Sequence, residues 1–145
     1  MRVYKALKKQ EFKSGDYCLT PIRHEDRFKI MEWRNEQILH LRQTVPLTKE
    51  IQDKYFDGVI TPLFNQAKPK QILFSFFYRG DFIGYGGLVH INYLDLNAEI
   101  SFVIKTDLQE LFFEKYWIEY LNLIKQPAFK ELKLRKIYTY AFDVR

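Results

Sequence analysis

Residues 71–104 read QILFSFFYRGDFIGYGGLVHINYLDLNAEISFVI. The first eight, Gln71 to Tyr78, form a β-prone apolar and aromatic run too short for a buried helix. Arg79-Gly80-Asp81 supplies turn chemistry, and Phe82 to His90 is β-prone again, which together spell a hairpin. A polar break from Asn92 to Asn97 leads into Ala98-Glu99-Ile100-Ser101-Phe102-Val103-Ile104, a third strand. The segment therefore predicts an antiparallel three-stranded meander. Gly84, Gly86 and Gly87 fall inside a strand pattern, so they read as a bulge or a close backbone contact rather than as a phosphate loop.

On the N-terminal side, Tyr17 to Arg23 alternates as a strand, with Pro21 pointing to an edge position. His24-Glu25-Asp26 opens a helix with acids in its first turn, where the helix dipole favours them, and Asn35 is a plausible end. Thr48 is a reasonable N-cap for a second helix carrying Ile51, Tyr55, Phe56 and Val59. Residues 1–16 read as an N-terminal extension, either loose or holding a short strand, ahead of a domain over 17–145. On the other side, Leu108 to Lys133 carries Trp117, Leu121, Ile124, Ala128 and Leu132 at helical steps, with Pro127 expected to kink or split the helix. Lys136 to Phe142 is a last strand, with Tyr138 and Tyr140 on one face against that helix. A strand–helix–strand ending implies a parallel pair with a right-handed crossover, and the class is mixed α/β.

Composition removes several alternatives. The 145 residues are 47% hydrophobic and 17% aromatic, ample for a packed core. One cysteine, Cys18, excludes an internal disulfide framework and a multi-cysteine zinc site, and His24, His40 and His90 have no metal-ligand spacing, so no metal is expected. Neither a secretory signal nor an apolar run of membrane-spanning length is found, so the expected setting is cytoplasmic, with no membrane partner. The net charge of +5 favours anionic partners. It is spread along the chain, and the aromatics sit at core spacings, so no specific nucleic-acid binding is expected.

The element order and several strings resemble the GNAT superfamily of acyl-CoA N-acyltransferases. Leu19-Thr20-Pro21-Ile22-Arg23 looks like the family's first strand, and Glu32-Trp33-Arg34-Asn35 resembles the helix end of members that acetylate ribosomal proteins or nucleotide-linked amino sugars. Phe82 to Leu88, Ala98 to Ile104 and Leu134 to Tyr138 are similar to the third, fourth and fifth strands. The resemblance implies a mostly antiparallel mixed sheet flanked by helices, truncated here after the fifth strand. It implies acetyl-CoA as co-substrate, its pantetheine arm against the backbone of Phe102, Val103 and Ile104 in the gap between the fourth and fifth strands. The family's Gln/Arg-x-x-Gly-x-Gly/Ala loop, whose N–H groups hold the pyrophosphate, aligns with Gln109 to Glu114, placing Phe112 and Glu114 at its glycine-type positions. Lys105, Lys115 or another base would then compensate.

The resemblance further implies acetyl transfer to a small-molecule primary amine, with a nucleotide-linked amino sugar preferred on the Trp-Arg-Asn string. An amine must lose its proton before it attacks, so a base is needed. Glu99 and His90 are the catalytic candidates; each also reads as a structural strand residue. Arg34, Asn35 and Arg42 are the acceptor-binding candidates, since arginine grips a carboxylate or phosphate bidentately. The competing reading is an inactive fragment or interaction module whose open sheet edge pairs with a second copy as a homodimer.

Overall fold

A computed structural model of the protein describes residues 2–38, 41 and 43–139. Its centre is β3, Ile72–Tyr78, six of whose seven residues are buried. β3 folds back into β4, Asp81–Asn92, through Arg79 and Gly80 at φ 48° and 84°. Both central residues of this two-residue turn lie in the left-handed region that matches strand twist. β4 pairs antiparallel with β5, Asn97–Ile104, completing the expected meander. On the other flank, β2, Tyr17–Pro21, pairs with β3 and with the short β1, Phe12–Ser14. β6, Lys136–Tyr138, adds to β5 in parallel, giving one six-stranded sheet in chain order. β2 is thus an inner strand, a correction to the edge position expected from Pro21. Pro21 lies beyond the reach of β1, which pairs only with residues 17–19, so its missing N–H leaves no gap in that ladder.

Strand alternation gives the sheet two covered faces. Phe76 and Phe102 point to α4, Thr106–Lys125, and meet Tyr120 at ring-centroid distances of 5.5 and 4.2 Å. The opposite face carries α1, Arg27–Glu36, and α2, Lys49–Tyr55. Trp33 of α1 packs on Phe82 at 4.8 Å, and Thr48 caps α2 by accepting from Ile51 N at 3.2 Å. α2 runs on through a wide turn, Phe56–Ile60, into the short α3, Thr61–Leu63. α4 is regular except at Phe112, whose φ of −139° breaks it into two pieces. Pro127 falls after α4, in a wide turn at Gln126–Glu131, where Leu132 N bonds back to Pro127 O. The α-helix thus gives way beside Pro127 to a π-helical segment that carries the helical run on to Glu131, close to the end expected at Lys133.

Ser75 is a polar residue inside the buried β3 run, and it is satisfied. It donates to Asp26 Oδ2 at 2.9 Å and accepts from Arg23 N at 3.2 Å, while Arg23 grips both oxygens of Asp26 at 2.7 Å. This network ties the start of α1 to the middle of the sheet. Residues 2–16 also reach the core: Tyr4 stacks on Phe64 at 4.1 Å, and its hydroxyl accepts from Leu73 N at 3.0 Å and donates to Leu73 O at 2.7 Å.

Tyr4→Phe is expected to lower unfolding stability by about 1–3 kcal/mol, because a buried N–H and carbonyl lose their partner; urea unfolding measures it. Burial pushes the Tyr93 hydroxyl, which donates to Pro69 O, up to about 12. A raised folded pKa stabilises fully below the unfolded value of about 10 and is lost as pH rises through the folded value. Melting temperature should therefore hold up to about pH 10 and fall above it, and Tyr93→Phe should flatten that fall.

Candidate functional site

A cavity of about 380 Å³ lies between the sheet and the α1–α2 layer. Its floor is Leu73, Tyr85, Val89 and Ser101, and its walls include Ile30, Arg34, Ile51, Gln52 and Tyr55. Helical periodicity explains the wall. Ile30 and Arg34, four apart, line the cavity, while Trp33 and Gln37, also four apart, face the sheet. Arg34 Nη1 donates to Tyr85 Oη at 2.8 Å. Burial raises the Tyr85 hydroxyl pKa, and the adjacent guanidinium partly offsets the rise. Tyr85 therefore stays a neutral phenol at neutral pH.

At the other end of β4 the ladder slips between Val89 and Asn92. His90, in the slip, adopts φ 50°, a left-handed conformation rare for side-chain-bearing residues but enriched in His, Asn and Asp. The bulge turns its ring over β5, where Nδ1 lies 3.1 Å from Glu99 Oε1. The Glu99 side chain is 15% exposed and the His90 ring 76% exposed, so the carboxylate sits under the imidazole. An ionised carboxylate only accepts, so Nδ1 carries the proton and a neutral ring offers the Nε2 lone pair to solvent or ligand. His90 also lines the cavity. The two catalytic candidates are thus one hydrogen-bonded pair.

β5 supplies the third component. β6 pairs with Asn97, Ala98 and Glu99 only, so among the described residues 101–104 have a strand neighbour on the β4 side alone. Val103 is buried, and Phe102 is half-buried against Tyr120. The Ile104 carbonyl accepts from Gln37 Nε2 at 2.7 Å, and the same amide reaches Thr106 Oγ1, which in turn bonds Glu36. The end of α1 is thereby fastened to the β5–α4 junction.

After β5 the chain enters α4 at once. Leu108 and Gln109 both donate their backbone N–H to Lys105 O, closing the first turn, and Lys105 Nζ lies 3.9 Å from Asp107. Gln109 thus belongs to a helical turn rather than an open loop. Lys115 lies one turn beyond Phe112, over the ring of Tyr116. Leu111 and Phe112 are 72% and 51% exposed. The Asn35 side chain bonds the backbone of Leu47, a residue that lines the cavity, donating to Leu47 O at 2.9 Å and accepting from Leu47 N at 2.7 Å, and so holds the loop before α2. Arg42 and Tyr140 lie outside the described residues.

Sequence reading missed Tyr85, Gln37 and Tyr120. Gln37 carried a usable signal, since it follows the buried Trp33 by four residues on one helix face. Tyr120 donates to Ser101 O at 2.7 Å, and a Cβ built on Gly86 would stand 2.7 Å from that hydroxyl. The glycine in β4 is what lets a helix side chain reach the backbone of β5.

The model of the acetyltransferase (GNAT) domain matches residues 19–143, and the chain belongs to that family. Among solved structures, it is similar to spermidine N-acetyltransferase from Vibrio cholerae in complex with CoA and spermine. The two are 19% identical with a TM-score of 0.70, over 88% of this chain and 72% of that one. A dodecameric structure of the Vibrio cholerae enzyme in an intermediate state matches at 20% identity and TM-score 0.62, over 87% and 70% of the respective chains. No curated protein sequence matches. The mixed, mostly antiparallel sheet with flanking helices is the acyl-CoA N-acyltransferase fold. Among the described residues no helix is long and apolar enough to cross a membrane.

Asn35→Ala should release the loop at Leu47. Hydrogen exchange at the Leu47 amide is expected to speed up on the order of tenfold, the equivalent of one lost hydrogen bond.

Proposed function

We propose that the chain is an N-acetyltransferase that moves an acetyl group from acetyl-CoA to the primary amine of a small molecule. The observation that carries this is the meeting of three features at Ser101. There, among the described residues, the stretch of β5 without a β6 partner begins, the cavity floor ends, and Glu99 of the His90–Glu99 pair stands two residues away along the strand.

The residues present fit an acyl-CoA at the pantetheine end. Among the described residues, backbone groups of Phe102, Val103 and Ile104 have no strand partner beyond β4, and an amide-bearing arm alongside them would extend the sheet as an added strand. At the diphosphate end the cations are Lys105 and Lys115, with Gln109 between them in sequence. When bound, acetyl-CoA supplies an acyl group activated as a thioester. The chain's own work is to deprotonate and orient the acceptor. A free amine has a pKa of about 10.4 and is mostly protonated at neutral pH. In this reading His90 Nε2 takes the proton from the ammonium, and Glu99 holds the ring through Nδ1 and stabilises the imidazolium. Arg34 orients the acceptor from the far wall, with Arg42 a further acceptor contact. The preferred acceptor is a nucleotide-linked amino sugar, and the proposed setting is the cytoplasm.

A second reading, a non-catalytic interaction module of the same fold that pairs as a homodimer through a sheet edge, is favoured by one feature. The segment after β5 lacks glycine and exposes Leu111 and Phe112 where a phosphate would be cradled.

Calorimetric titration with acetyl-CoA, with desulfo-CoA as a check, separates the two. Binding in the micromolar range is expected from the enzyme, and no heat at millimolar cofactor would leave the module. His90→Gln should lower kcat by about a hundredfold or more with acetyl-CoA affinity unchanged, and Glu99→Gln should lower it less.

A further inference from the structure

Arg34 carries the one permanent charge among the described residues lining the cavity, and no Asp or Glu lines it. The guanidinium has no described carboxylate partner; its Nη1 rests on the neutral phenol of Tyr85, leaving Nε and Nη2 for another acceptor. Three other arginines have described carboxylate partners, Arg23 with Asp26, Arg27 with Asp53 and Arg79 with Asp16, while Arg2 bonds the hydroxyl of Thr61 and lies over the ring of Phe64. A half-buried guanidinium without a counter-charge is costly, and a ligand anion removes that cost. The rest of the wall is largely apolar, with Ile30, Ile51, Tyr55 and Phe56, so the charge is poorly screened.

Resting on the acetyltransferase reading above, we infer that Arg34 selects the acceptor. The substrate is an amine that also carries a carboxylate or phosphate, and a polyamine is rejected. A polyamine brings two or more ammonium groups and needs carboxylates around it, whereas this cavity opposes it with a fixed cation. The likeness to spermidine acetyltransferases, at 19% identity, is one of fold.

Placement of the charges also sets the acceptor's length. Tyr85, which holds Arg34, and His90, which takes the proton, lie five residues apart on β4, about 16 Å along a strand at about 3.3 Å per residue. Side chains reach inward from both ends and shorten the gap. An α-amino acid, with amine and carboxylate on one carbon, is too short to meet both, and an acceptor with several bonds between the two groups fits.

The test is acetyl transfer from acetyl-CoA to four probes: 6-aminohexanoate, glucosamine 1-phosphate, hexylamine and spermidine. The expected result is that each anionic probe exceeds hexylamine in kcat/KM, and that spermidine falls below it. In Arg34→Gln the anionic-to-hexylamine ratio should drop on the order of 10- to 100-fold, through KM, the scale of a charge-assisted hydrogen bond. Arg34→Lys, which keeps the charge and loses the fork, should drop it less and serves alone if the Gln variant does not fold. A larger drop for glucosamine 1-phosphate assigns phosphate and a larger drop for 6-aminohexanoate assigns carboxylate; either supports selection by Arg34. A preference for spermidine, or a ratio unmoved by both variants, overturns it. If no amine is acetylated, the activity reading fails by itself and ligand-induced melting decides the inference. Stabilisation by glucosamine 1-phosphate that is lost in the Arg34 variants supports it, and no stabilisation overturns it.

Discussion

Backbone groups that leave water must find partners, and among the described residues β5 finds a strand partner on one side only along residues 101–104. Side chains from both flanking helices reach the backbone of this strand. Gln37 reaches across from α1 to take the Ile104 carbonyl, and Tyr120 reaches down from α4 to take that of Ser101. Each helix therefore docks by a hydrogen bond to the incomplete strand as well as by apolar burial. The apolar part is large, since Leu19, Phe74, Phe76, Leu88 and Ile104 are fully buried, each worth about 1.5–3 kcal/mol. The polar part decides which helix turn meets which strand residue, because a hydrogen bond has a geometry and apolar contact has little.

α1 is held at three points, and together they place the cavity wall. Asp26, bonded to Ser75 and gripped by Arg23, fixes its start on β3. Gln37 fixes its end on β5, and Asn35 ties the following loop. Between these points Ile30 and Arg34 have little freedom of position, and the guanidinium is presented by a helix whose ends are both fastened to the sheet.

Much of the fold was legible from residues 71–104 because the apolar period and the Arg79-Gly80 turn agree. Local chemistry and tertiary demand point the same way there. Legibility failed where a residue's meaning depends on a distant partner. Pro21 suggested an edge because proline lacks a donor, and nothing local reveals that β1 stops short of it. Asn35 is an acceptor candidate on the family resemblance, and nothing local reveals that its amide also bonds the backbone of Leu47, twelve residues on. His90 and Glu99 were each legible as candidates, but their pairing depends on a register slip that no spacing rule foretells. Tyr85 drew no notice because a tyrosine between two glycines in a strand reads as core. Its role comes from Arg34, 51 residues earlier.

The left-handed backbone at His90 has a consequence for how this site could change over time. Few side chains accept a positive φ, and Asn, Asp and His are the common ones besides glycine. Of these, only histidine is a neutral proton acceptor near physiological pH; aspartate would put a second negative charge beside Glu99. The backbone thus admits a short list and the proposed chemistry takes one member of it. Drift to asparagine would leave the bulge, the sheet and the cavity in place while removing the base. On the proposed mechanism, one substitution at this position would separate a catalyst from a binding protein of the same shape.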